Sequence, residues 1–232
     1  QHFAVGKKLY RELTTQGLSM GFMNAVVSSG TVILQSAINS LGEMYIACHA
    51  TARKLNSFCL MPVSTIGASM STFVSQNRGA GNIKRALGTF WRLVIIEASL
   101  GLIMYIILNI FAGPITYLFA NSQDGYNVEF QNMIIKVFRY DSLGGCVPLG
   151  INAAVMALLF GFGKTKLTLF CNFCRVFVFR IPILWALQNF TTLGSESVGI
   201  VMCLSNILTT ILSCIVAFFV IRNIKKDYKE MI

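Results

Sequence analysis

The sequence predicts an all-α membrane protein with six transmembrane helices. Three observations carry that prediction. Hydrophobic residues fill 55% of the 232 positions and charged residues only 12%, about half the charged share of an ordinary soluble domain. Mean hydropathy is +0.66, more apolar surface than a soluble core of this length can enclose. The apolar residues also fall into runs near the 20 or so residues that a membrane helix needs, joined by short hinges.

The chain opens QHFAVGKKLYREL, basic and amphipathic, with no initiator methionine and no apolar core of the kind a signal peptide has. Residues 1–16 therefore read as a cytoplasmic approach segment, and the sequence as a cut made inside a longer protein. The expected spans are roughly 17–41, 47–75, 87–110, 133–160, 167–190 and 198–221, and 222–232 form a basic tail. Residues 111–119 extend the third span past a break at Gly113-Pro114, and 121–131 form the most polar loop.

Helix breakers interrupt three spans: Pro62 with Gly67, then Gly144-Gly145 with Pro148 and Gly150, then Pro182. A proline removes a backbone hydrogen bond, and the freed carbonyl needs a protein or water partner in lipid. Such breaks mark helices that line cavities or bend during transport, and they also occur in membrane helices with no special role.

The basic residues set the orientation. With a cytoplasmic N-terminus, the inside segments hold Lys7, Lys8, Arg11, Arg78, Lys84, Arg85, Arg92, Lys164, Lys166, Arg222, Lys225, Lys226 and Lys229. The outside segments hold only Arg53, Lys54, Lys136 and Arg139. This bias puts both termini inside. The net charge of +10 is thereby read as a topology signal rather than a nucleic-acid surface.

Two hinges resemble each other: GAGNIKRAL after the second span and GFGKTKLTL after the fourth. Lying two spans apart, they belong on one cytoplasmic face, with Gly79, Gly81, Gly161 and Gly163 as the hinge glycines. Short basic turns also look alike by chance. The GxG at Gly79–Gly81 follows an apolar span rather than a β-strand and has no acidic ribose reader, which excludes a dinucleotide site.

Polar groups inside the spans are the candidate site. Asn24, Gln35 and Asn39 are spaced by close to whole turns and share one stripe, facing a cavity or joining helices; Asn152 is a further cavity candidate. Counting about 1.5 Å per residue, Glu97 and Arg175 both reach about 13 Å depth. Asp141 and Arg180 lie about 18 and 21 Å from the inner face on the same count. Isolated charges at such depths are costly. The expected buried pairs are therefore Glu97 with Arg175 and Asp141 with Arg180, either structural or exchanging an arginine for a cation or cationic substrate. The cysteines, including the Cys171–Cys174 CxxC, read as small buried hydrophobes, and His2 and His49 as residues near membrane faces. No metal site and no cofactor is expected.

Three stretches carry a family resemblance. FVSQNRGAGNIKRA resembles the loop after the eighth helix of multidrug and toxic compound extrusion (MATE) transporters, whose motif runs approximately fxgQnxGAGnxxrA. GKTKLTLFCNFCRVFVFRIPIL (Gly163 to Leu184) resembles the hinge into the eleventh helix and that helix, with GKxK, Arg175 and the RIP at Arg180 to Pro182. LTTQGLSMGFMNAVVSSGTVILQSAINSLG is similar to the seventh helix, including Gln35, Asn39 and Gly42. The matches run in order from about residue 10 to residue 200.

The resemblance implies the C-terminal six-helix half of a twelve-helix transporter in a plasma membrane, of the kind bacteria carry. It would be partnered by membrane lipid and by an N-terminal six-helix lobe. The family exports amphipathic, often cationic compounds in exchange for sodium ions or protons. Some bacterial members hold the cation with a glutamate in the seventh helix and an aspartate deep in the tenth. Here Asn24 stands at the first place and the neighbourhood of Leu149 at the second, which points ion coupling to the other lobe. A lipid-linked oligosaccharide flippase of related fold would need a strongly cationic cavity, and only Arg175 and Arg180 lie inside the spans. An intramembrane enzyme would need a DDxxD, HExxH or comparable cluster, which the chain lacks. A purely structural membrane subunit is the remaining alternative.

Overall fold

The computed structural model describes residues 6–40, 42–120, 128–190 and 196–230, and those residues form helices and short turns. The first span is α1 (Lys7–Asn39), unbroken from the approach segment. The second is a bent pair, α2 (Glu43–Cys59) and α3 (Met61–Gly79), at 48° to each other. The third is α4 (Ile83–Ile110), followed by the short α5 (Ala112–Ala120). The fourth joins α6 (Val128–Gly145) to α7 (Val147–Gly161). The fifth passes from α8 (Thr165–Phe173) through a π-helical segment (Cys174–Arg180) into α9 (Ile181–Phe190). The sixth is α10 (Glu196–Glu230). Among the described residues, five helical runs are long and apolar enough to span a membrane, or six when the bent pair counts as one span. Residues 121–127 of the expected polar loop lie outside the described residues, whereas Val128–Gln131 already belong to α6.

Each expected break has its own local form. Pro62 and Pro148 occupy the first turns of α3 and α7, where a missing N–H costs nothing. The Pro148 carbonyl accepts a hydrogen bond from Thr210 Oγ1 at 2.8 Å. Ahead of Pro182 the bonding register widens, and the Ile181 N–H reaches back five residues to the Val176 carbonyl. That widening is a π-type insertion, a common way to bend a helix.

α7 is the central helix, packed on α3, α4, α8 and α10. Small residues allow the approach. A Cβ at Gly161 would lie 2.4 Å from Val74 Cγ1, and one at Gly101 would lie 2.6 Å from the Cys146 carbonyl oxygen. Without a hydrophobic drive between helices in lipid, such close packing is what holds them together. Outside this core, Ile95, Ile103, Ile110, Trp185 and Phe218 are exposed, a surface suited to hydrocarbon and not to water.

The two hinges end their helices in the same way. Gly81 (φ 75°) and Gly163 (φ 67°) take the left-handed conformation. Gly81 N–H bonds the Arg78 carbonyl and Asn82 N–H the Asn77 carbonyl; Gly163 bonds Phe160 and Lys164 bonds Leu159 in the same pattern. Both are Schellman caps, with glycine where an L side chain would clash. They also meet at one end of the bundle, since the Arg78 guanidinium lies 6.0 Å from the centre of the Phe162 ring.

Candidate functional site

One face of the bundle is left open by α1 and α3. On α1, Val26, Leu34 and Ile38 are buried, whereas Asn24 and Asn39 are exposed and Gln35 is half-buried. Gln35 Nε2 donates to Asn39 Oδ1 at 3.0 Å, making one polar ridge. On α3 the hydroxyls of Ser64 and Thr65 donate to the Met61 carbonyl, Ser69 to Thr65 and Ser75 to Ser71. With their protons used inside the helix, these exposed oxygens present lone pairs outward.

Between α1, α3 and α7 this face folds into a cleft of about 530 Å³, lined by Gln16, Met20, Ser64, Ala68, Ser71, Met156, Phe160 and Thr165 among others. Its walls combine hydroxyl and amide groups with thioether and aromatic surface. The first can hold a polar or cationic end; the second fits an apolar body, and methionine adapts to varied shapes.

Deeper in the bundle lies a polar network. His49, Arg53 and Asn56 occupy one face of α2 at steps of four and three residues. Asn56 Nδ2 donates to Asp141 Oδ2 on α6 at 2.5 Å. The Arg180 and Arg53 guanidinium groups both act electrostatically on Asp141 and on His49. Arg180 is 6% exposed and donates Nε to Ser205 Oγ on α10 at 3.5 Å. Asp141 Oδ1, Asn56 Oδ1 and His49 Nδ1 are buried with no hydrogen-bond partner among the described residues.

These positions change several expectations. The expected Asp141–Arg180 ion pair is not formed among the described residues: Asn56 donates to the carboxylate and Arg180 donates to Ser205. Glu97 forms no pair with Arg175: it is fully buried, and neither of its oxygens has a partner among the described residues. Its backbone abuts Gly150 on α7, and α4 packs on α3 and α7 while the π-segment packs on α8, α9 and α10. Counting residues could pair the two charges, but their helices pack on different neighbours. Arg175 is half-buried and Asn152 is buried inside α7, and Arg175 Nε and Asn152 Oδ1 have no hydrogen-bond partner among the described residues. His49, expected near a membrane face, is buried at 5% exposure. The i, i+4, i+7 spacing of His49, Arg53 and Asn56 was the readable sign of this network.

Comparison with known proteins agrees with this architecture. A family model described as MatE matches residues 20–186. The FAD transporter of Shewanella oneidensis is 25% identical over 166 residues, covering 69% of this chain and 34% of that protein. The probable multidrug resistance protein YpnP of Bacillus subtilis is 24% identical over 186 residues, covering 79% and 40%. An outward-facing multidrug resistance MATE family transporter of the MOP superfamily superposes with a TM-score of 0.88 at 18% identity, covering 97% of this chain and 49% of that one. The chain thus spans 34% and 40% of these curated relatives and 49% of the solved transporter. By a family match over more than half its length, and by six spans folded like half of a solved transporter, the chain belongs to the MatE family.

Proposed function

We propose that the chain is the C-terminal lobe of a cation-coupled antiporter that exports amphipathic drugs or other xenobiotics across the plasma membrane, both termini being cytoplasmic. The observation that carries this reading is the open α1–α3 face with its mixed cleft, set on a family scaffold whose other half would close over it. Asn24 and Leu149 offer no carboxylate to a sodium ion or proton at the two positions where some family members hold one, which favours ion coupling through the N-terminal lobe. The excess of lysine and arginine at the hinge end supports the orientation.

The whole protein in inverted membrane vesicles tests the reading. A fluorescent cationic dye should accumulate under an imposed sodium or proton gradient, and the accumulation should collapse when an ionophore removes that gradient. Flavin adenine dinucleotide belongs in the same assay, since one relative is named for it. Gradient-independent movement, or none for any compound, would overturn the antiporter reading.

A further inference from the structure

A second cleft lies between α4, α7 and α10, apart from the α1–α3–α7 cleft. It measures about 480 Å³ and is walled by Phe90, Val94, Val155 and Phe218, with Trp91 at its edge. Along α10 it runs from Cys214 to Arg222 and Lys225, about 16 Å at the helical rise. The two cations lie one turn apart and are exposed, and no carboxylate lines the cleft. Trp91 is 57% exposed, as suits a side chain at the boundary between headgroups and hydrocarbon.

We propose that this cleft holds an acyl chain of an anionic phospholipid from the leaflet at the hinge end of the bundle, with the lipid phosphate between Arg222 and Lys225. The apolar walls accept hydrocarbon but do not select among lipids, since every lipid offers it. Selection comes from the two cations at the mouth, where a negative headgroup neutralises charge that a zwitterionic one does not. A protein helix seated here would have to bring its own carboxylates to meet both cations. The phosphate supplies that charge without them, and basic pockets between membrane helices bind such headgroups in general.

The test uses the whole protein in lipid nanodiscs, with every tryptophan except Trp91 replaced by phenylalanine. Lipids brominated on the acyl chain quench a tryptophan they touch. Brominated phosphatidylglycerol should reach half-maximal quenching at a roughly tenfold lower mole fraction than brominated phosphatidylcholine. The double substitution Arg222→Gln with Lys225→Gln should erase the difference, and Arg222→Lys with Lys225→Arg should keep it. Raising the salt concentration on the unsubstituted mouth should also shrink it, which keeps the test decisive if the neutralised protein folds poorly. Equal quenching curves, or a preference that survives both neutralisation and salt, would overturn the proposal. So would an absence of quenching by either lipid together with Cys214-to-Cys214 cross-linking, which would give the cleft to a second copy of the protein.

Discussion

Asn56 and Asp141 lie 85 positions apart in the chain and are joined by a 2.5 Å hydrogen bond that ties the second span to the fourth. Both residues stand just before the break in their span, at Leu60 and at Cys146. The bond therefore clamps the two half-helices on the far side of the bundle from the hinges.

Removing the clamp should destabilise the protein. Asn56→Leu leaves a buried carboxylate without its donor, a loss of about 1–3 kcal/mol, or a fall in Tm of very roughly 2–10 °C in detergent. Asp141→Asn in the same background removes the stranded acid and should recover much of the loss. A double substitution no more stable than Asn56→Leu alone would show that the contact contributes little.

The hinge glycines separate by environment. Gly161→Ala drives a methyl group into Val74 and should cost about 1–3 kcal/mol. Gly79→Ala meets nothing within 4 Å in an ordinary helical position and should be neutral or slightly stabilising. Gly81→Ala and Gly163→Ala force an L residue to positive φ and should each cost about 1–2 kcal/mol. Thermal unfolding of the four variants side by side checks the order.

Glu97 and Arg175 should behave as independent sites. The Glu97→Gln and Arg175→Gln effects on stability are expected to add to within about 0.5 kcal/mol, as for residues that share no contact. A coupling above about 1 kcal/mol in the double-mutant cycle would restore them as a pair.

The six spans, the three broken helices and the paired hinges were all legible in the sequence, because hydropathy, proline and glycine report on local chain behaviour. Rotation about each helix axis was not. Glu97 packs against Gly150 of α7 whereas Arg175 lies on a segment packed on α8, α9 and α10, and no periodicity announces either arrangement. The π-segment was hidden for a similar reason. Pro182 signals a bend, but a proline alone does not say that the register widens over Cys174–Arg180 ahead of it. His49 could not be told from a surface histidine without knowing that α6 packs on α2.

The most direct measurement concerns the α1–α3–α7 cleft as the surface that meets substrate. Single cysteines at Met20, Ser64 and Ser71, which line the cleft, in a cysteine-free whole transporter would be treated with a bulky water-soluble thiol reagent, with and without an exported dye. Vesicle export would then be measured on the labelled protein. Dye is expected to slow labelling at Ser64 and Ser71, and the labelled variants are expected to lose most of their export. Labelling that dye does not affect, followed by export at the unmodified rate, would contradict the assignment of this cleft to the transport path.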